Sequence, residues 1–289
     1  MKRKLIFAIA FVCAIAGVLA AGANIINATE RQSVTATYSM RVDGLTRSWE
    51  QVVPVAPLPK SAPIIVVLSG INASTADEIQ RDNFVPYVNA DKTELVYPTG
   101  YHESWNAGGC CGKAAAANVN DVAFLKALVP RVDPGHTRPI YLVGYSNGGR
   151  MAYRMACSDP GVFDEIAVAK ADPMPGCVVT KPQTIMQVAS KDDTAVPYKP
   201  GDSGKETPAA TVQITRLRDA DECAGSGVTT AHGSMAVTSW TGCANGTRLS
   251  FALWDTGGHN FPPPKGSTPA AAQVIWSFFT QTALKPLPA

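Results

Sequence analysis

The segment PIYLVGYSNGGRMAYRMAC, residues 139–157, constrains the fold more than any other part of the 289-residue chain. Its first half is a short apolar run with strand-forming residues, and its second half places Met151 and Met155 at helical spacing. Gly144, Ser146 and Gly148 stand at the junction in the order G-x-S-x-G. A strand that turns straight into a helix brings the two so close that side chains at the flanking positions would collide, which glycine avoids. Ser146 is left at the helix start. Serine is also a preferred N-cap, so the stretch alone admits two readings, a nucleophile or a capping hydroxyl.

The same alternation recurs along the chain. IIVVLS (64–69), TELVYP, EIAVAKA, TIMQVAS and RLSFALWD are further apolar runs, of the kind expected for strands covered on both faces. Between them VNDVAFLKALVPRV sets Val122, Leu125, Leu128 and Val129 on one helix side, and AAAQVIWSFFTQ does the same with Val274, Phe278 and Phe279. SVTATYSMRV and SWEQVVPVA alternate around Val42, Asp43 and Gly44 and read as an antiparallel hairpin. The pattern predicts an α/β fold: a mostly parallel central sheet flanked by helices, with the antiparallel N-terminal hairpin at one edge. No repeat or linker interrupts it. Long loops at Thr99 to Asn118 and in PYKPGDSGKETP are where binding residues are expected to gather.

MKRKLIFAIAFVCAIAGVLAAGA begins basic, continues apolar for less than a membrane span, and ends with small residues. It reads as a signal peptide over residues 1–23, with a single catalytic domain over 24–289 and a secreted or periplasmic location. Cys13 lies inside the apolar run and lacks the preceding small residues of a lipidation site. Cleavage would remove Lys2, Arg3 and Lys4, which takes the formal net charge from +2 to −1. Nothing then calls for nucleic acid or an anionic membrane as partner, and no transmembrane segment is expected after cleavage. Six cysteines would remain, an even number suited to an oxidising compartment. Cys223 with Cys243 flank a turn-rich stretch, and Cys157 with Cys177 bracket the segment after the serine helix. Cys110 and Cys111 are left, bonded to each other or exchanged with the other pairs. Their CC spacing, with no histidine at ligand distance, does not suit zinc, and no metal or other cofactor is expected.

A serine nucleophile needs a base and the base needs an orienting acid, which in α/β-hydrolases follow in the order Ser, acid, His. His102 and His136 precede Ser146, and His232 sits in a polar excursion between two cysteines. His259, in FALWDTGGHNFPPP, follows the last expected strand, where an open α/β sheet places its chemistry. Asp192 and Asp193 stand side by side in the loop after TIMQVAS; one would orient the histidine and the other would be a solvated turn residue. Asp255 is a weaker rival that starts the turn. The oxyanion donors would be the backbone N–H groups of Asn147 and of Ile71, which follows Gly70.

Taken in order, IIVVLSG, YPTGYHESWNAGGCCG, GYSNGGRMAYRMAC, DDTAVPY, GGHNFP and VIWSFF resemble the secreted α/β-hydrolase esterase family of poly(3-hydroxybutyrate) depolymerases, feruloyl and acetyl-xylan esterases, and LpqC-like proteins. The resemblance covers nearly the whole chain after residue 23. It implies Ser146 as nucleophile, His259 as base and Asp193 as acid, because the family's acid stands just before x-x-V-P-Y. It also implies a Cys223–Cys243 disulfide. Ser69 departs from the family's histidine before the oxyanion-loop glycine, and Asn260 and Phe261 depart from its tryptophan after the catalytic histidine. The implied activity is hydrolysis of carboxylic esters, polymeric or aryl, through an acyl-enzyme. Two other readings use the same residues differently: a polyamide hydrolase such as a poly(aspartic acid) depolymerase, and a binding protein on a hydrolase scaffold. Tyr101, Trp105 and Phe261 are the aromatic candidates for the substrate cleft.

Overall fold

The computed structural model describes residues 33–201 and 209–288. The segment read as a signal peptide, and residues 202–208 of PYKPGDSGKETP, lie outside the described residues. The chain opens with β1 (Ser33–Val42) and β2 (Leu45–Pro54), joined at Asp43 and Gly44, which both take positive φ. β3 (Ile64–Leu68), α1 (Thr75–Asp82), α2 (Val85–Asn89) and β4 (Glu94–Pro98) follow. Next come α3 (Gly112–Ala116), α4 (Asp121–Val132), β5 (Ile140–Tyr145), α5 (Asn147–Ser158), β6 (Glu165–Ala169) and β7 (Thr184–Ser190). The last part holds α6 (Ala210–Ala220), β8 (Val228–His232), β9 (Met235–Trp240), β10 (Leu249–Trp254) and α7 (Ala271–Thr280).

These strands form one sheet in the order β1-β2-β4-β3-β5-β6-β7-β10-β9-β8. The stretch from β4 to β10 is parallel. At the N-terminal edge β1 and β2 run antiparallel. At the other edge β8 and β9 form a second antiparallel hairpin, which the sequence pattern did not disclose. Its strand β8 is mostly exposed and rich in threonine, so no buried periodicity marks it. His232, expected on a polar excursion, ends this strand half-buried.

Alternation along the strands divides the core. Ile64, Val66 and Leu68 pack with Phe124 and Leu125 of α4, Met151 of α5 and Ile214 of α6. Ile65 and Val67 face the other way, with Phe84 and Val88 around α2 and with Ile275 and Phe279 of α7. Parallel strands covered on both faces must be apolar throughout, and β3, β4 and β5 are buried at every residue.

A buried ion pair ties the hairpin to the Thr99–Asn118 loop. Arg47 Nη2 lies 2.7 Å from Asp121 Oδ1, and Asp121 Oδ2 accepts from Asn106 N–H at 2.7 Å. Burial pushes the Asp121 carboxyl upward, while the Arg47 charge opposes that shift. The same loop is fixed from within by Trp105, which is fully buried, stacks near Phe124 and donates from Nε1 to Ser69 O at 3.1 Å. Trp105→Ala is expected to cost about 3–5 kcal/mol of stability, the usual range for emptying a buried tryptophan site. Urea unfolding checks it. A raised KM with an unchanged midpoint would instead make Trp105 a substrate contact.

Candidate active site

Ser146 stands between β5 and α5 with φ 51 and ψ −115. A non-glycine residue held at positive φ is strained and persists only where its surroundings fix it. Those surroundings are close-packed. A Cβ on Gly144 would overlap Gly148 O, and one on Gly148 would overlap Leu68 O, so the elbow requires glycine at both positions. The Ser146 N–H donates to Ala169 O at 2.9 Å, which hangs the turn on β6. Ser146 makes no side-chain capping bond, so its hydroxyl is not engaged as a helix cap.

The hydroxyl instead meets a histidine. His259 Nε2 lies 2.9 Å from Ser146 Oγ, and Nδ1 lies 3.1 and 3.0 Å from the two carboxyl oxygens of Asp193. With Asp193 ionised, the proton belongs on Nδ1, which leaves Nε2 free to accept from the serine. Asp193 is 4% exposed, and its Oδ1 also accepts from Ala195 N–H at 2.8 Å and Val196 N–H at 2.9 Å. Burial acts to raise its pKa, but the hydrogen bonds from His259 and these backbone donors outweigh it. The carboxyl therefore lies below its usual range and is ionised at neutral pH.

Asp192 is not the idle turn residue that the sequence suggested. It is exposed, yet its carboxylate accepts from Gly257 N–H at 3.2 Å and Gly258 N–H at 2.8 Å, so it clasps the loop that presents His259. Tyr145 adds a second hold on that loop, its hydroxyl donating to His259 O. Adjacent carboxylates thus serve two purposes, one on the imidazole and one on its backbone. Asp255 is engaged elsewhere, in an exposed ion pair with Lys191 at 2.6 Å.

Asn147 is the first residue of α5, so its N–H has no partner within the helix. Its side chain bonds both ways to Trp105: Oδ1 accepts from Trp105 N–H at 2.8 Å, and Nδ2 donates to Trp105 O at 3.0 Å. Opposite lies the loop Ser69–Asn72, in which a Cβ on Gly70 would stand 3.6 Å from Ser146 Cβ. Gly70 N–H points to Glu78 Oε2 at 3.4 Å. Ile71 is 39% exposed beside this approach. Trp105 therefore braces both the residue after the serine and the facing loop.

The aromatic candidates fall differently from the sequence reading. Trp105 presents no surface to a ligand. Phe261 is 5% exposed and packs edge-on against Phe84 and Tyr145 beneath the histidine loop. Both are core residues, because the loops that carry them fold inward to support the serine and the histidine. Tyr101 is half-buried and set edge-on to His102. Its neighbours line a polar recess of about 400 Å³, formed by Asn72, His102, Glu103, Ser104, Gly112 and Lys113. This recess adjoins Ile71, since a Cβ on Gly112 would come within 3.2 Å of Ile71 Cδ1. Sequence reasoning missed it because its polar residues carry no motif.

Disulfides link Cys157 to Cys177, Cys223 to Cys243, and Cys110 to Cys111. Arg150 lies beside the adjacent pair, with Nη1 3.0 Å from Cys110 Sγ, and its Nη2 binds Asp172 at 2.6 Å. Among the described residues no cluster of three or more His, Cys, Asp or Glu side chains could hold a metal ion. No helix among them is long and apolar enough to cross a membrane.

No protein-family model matches the chain. It is 29% identical over 262 residues to NocK of Nocardia uniformis subsp. tsuyamanensis, a protein described as an esterase, across 80% of this chain and 75% of that protein. A protein named "probable feruloyl esterase C" from Aspergillus terreus is 25% identical over 231 residues, across 76% of this chain and 78% of its own length. An acetyl xylan esterase from Aspergillus awamori superposes with a TM-score of 0.53 at 13% identity, covering 74% of this chain and 89% of that one. The chain has the α/β-hydrolase fold and is similar to these esterases. It is a carboxylic ester hydrolase. This esterase has the mostly parallel sheet expected from its strand pattern, with antiparallel strands at its N-terminus.

Proposed function

We propose that the protein is a secreted serine esterase in which Ser146 is the nucleophile, His259 the general base and acid, and Asp193 the orienting carboxylate. The observation that carries this reading is the continuous contact from Ser146 Oγ through the imidazole to Asp193, at 2.9 Å on one side and 3.0 Å on the other. In the first half-reaction Ser146 Oγ attacks the ester carbonyl while His259 Nε2 takes its proton. The tetrahedral oxyanion accepts hydrogen bonds from the backbone N–H groups of Asn147 and Ile71. The imidazolium then protonates the leaving alcohol, and an acyl group stays on Ser146. Water, deprotonated by the same nitrogen, attacks the acyl carbonyl, and the acid departs as serine is reprotonated.

The substrate we infer is an ester of a hydroxyl-rich polymer, of the feruloyl or acetyl polysaccharide type. Two observations support it. Relatives bear feruloyl esterase names, and the recess beside Ile71 offers amide, hydroxyl, imidazole, carboxylate and ammonium groups suited to a hydroxylated leaving group. Secretion, with residues 1–23 as a signal peptide and 24–289 as one catalytic domain, agrees with three disulfides, which persist in oxidising compartments.

The acyl-enzyme is tested by acid-quenching the protein during turnover of a slowly deacylating aryl ester. Mass mapping is expected to find the acyl group on the peptide that contains Ser146; sustained turnover with no adduct would exclude it. Acetylated xylan, methyl ferulate and poly(3-hydroxybutyrate) are then compared. Product from the polyester alone would overturn the polysaccharide assignment while leaving the triad standing.

A further inference from the structure

Lys170 stands outside the groups used above, yet it is 1% exposed. Two costly features meet at this residue. Its φ is 54, in the left-handed region, and its ammonium is buried. Residues that combine backbone strain with a buried charge cluster at functional sites.

Its neighbours explain what the strain secures. The preceding residue, Ala169, supplies the carbonyl that anchors the Ser146 N–H, and the Lys170 N–H donates to Val188 O at 2.9 Å. The backbone of Lys170 is thus fixed between the serine elbow and β7. At the other end of the side chain, Nζ donates to the hydroxyl of the fully buried Ser190. Ser190 ends β7 and accepts at its carbonyl from Asp193 N–H at 3.4 Å. Its hydroxyl also adjoins the histidine loop, since a Cβ on Gly257 would stand 3.2 Å from Ser190 Oγ. Lys170 therefore touches a residue that meets both the acid loop and the histidine loop.

Burial pulls the ammonium down and the carboxylates of Asp193 and Asp192 oppose that pull, which leaves it at about 8. It carries its charge at neutral pH. His259 lies beyond Asp193; other charges around the site are paired among themselves, Arg150 with Asp172 at 2.6 Å and Arg81, which lies over the Tyr145 ring, with Glu78 at 2.6 Å. Lys170 thus supplies a buried positive charge against the two carboxylates that hold His259 and its loop.

We propose that Lys170 is a positioning residue of the esterase: its buried ammonium anchors the Asp192–Asp193 loop and, through that loop, sets the electrostatic field in which His259 takes up its proton. A cation on this side favours the ionised form of Asp193 and opposes a second positive charge on the imidazole. Without it, the base is protonated at higher pH.

This proposal rests on the Ser146–His259–Asp193 reading, so the experiment separates the two. The folded wild-type protein, Lys170→Met, Lys170→Gln, Lys170→Arg and Ser146→Ala are compared by kcat/KM against pH on p-nitrophenyl acetate. The acid limb reports protonation of the essential base in the free enzyme. Gln retains a donor for Ser190 but no charge, and it serves where Met destabilises the fold. The acid limb is expected to rise by about one pH unit in the Met and Gln variants, the scale of a partly buried charge interaction. It is expected to stay at its wild-type position in Lys170→Arg and in Lys126→Met, an exposed control 2.6 Å from Asp159. An unmoved limb in both neutral variants, whatever their kcat, reduces Lys170 to a structural prop and overturns the proposal. A limb that rises equally in Lys170→Arg overturns it as well, because charge would then not be the cause. Turnover retained by Ser146→Ala would reject the triad itself, a different result.

Discussion

Asp193→Asn is expected to lower kcat about 10⁴-fold while leaving the fold intact, the loss seen when a triad carboxylate becomes an amide. The reason is the tautomer. Asp193 now accepts from His259 Nδ1 at both oxygens and holds two backbone N–H groups at Oδ1. In the variant, the amide oxygen remains committed to Ala195 and Val196, which turns the NH₂ toward the imidazole. Nδ1 must then accept, Nε2 carries the proton, and Ser146 faces a donor instead of a base. Asp192→Asn supplies the comparison. Its loss falls on the clasp to Gly257 and Gly258, and an amide oxygen can keep part of it, so the expected loss is roughly tenfold. Kinetics of the two variants on one aryl ester check the assignment. A larger loss at Asp192 than at Asp193 would reverse the roles of the two carboxylates.

Ser146→Ala is expected to reduce kcat about 10⁴- to 10⁶-fold, as removal of a serine nucleophile does. It would leave only what substrate binding and the oxyanion donors contribute without a covalent intermediate. The variant also has a structural readout. Alanine keeps the Cβ that makes φ 51 unfavourable, whereas glycine removes it. Ser146→Gly is therefore expected to be more stable than Ser146→Ala by about 1 kcal/mol, although both are inactive. Thermal or urea unfolding of the pair measures it. Equal stabilities would mean that the elbow stores no strain at this residue.

The sheet was readable where burial imposes a composition. β3, β4 and β5 are buried on both faces, so their residues had to be apolar, and the runs IIVVL, ELVYP and IYLVGY are visible without structural help. Where burial is partial the signal fades. β8 borders solvent and pairs with β9 partly through Thr229 and Thr238, whose hydroxyls lie 2.8 Å apart, so its residues answer to an edge and not to a core. α1 is polar along most of its length, and only the capping box of Ser74 with Asp77 marks its start. That S-x-x-D pattern could have revealed the helix, and with it Glu78 beneath the Ser69–Asn72 loop. α6 has its buried Ile214 and Leu217 three apart, a helical pair too short to stand out beside the long loop before it.

The site shows the same division between what a motif can carry and what only packing decides. Ser146 and His259 belong to turns in which glycine is sterically required, so the glycines advertised them. Asp192 and Asp193 look alike in sequence because they differ only in direction, one toward the imidazole and one toward its backbone. Trp105 and Phe261 were plausible ligand contacts as aromatic residues near the site, yet their loops turn inward and use the rings as supports. Lys170 gave no sign at all. A single lysine at the end of an apolar run reads as the point where a strand reaches water, and only the path of the next strand shows that it remains inside.

The most direct test of the proposed catalytic centre is covalent labelling with a fluorophosphonate, followed by peptide mapping of the folded protein. One adduct on Ser146 is predicted, with its formation strongly slowed in His259→Ala because the hydroxyl loses its base. No labelling at Ser146, or labelling at an equal rate without His259, would contradict the account.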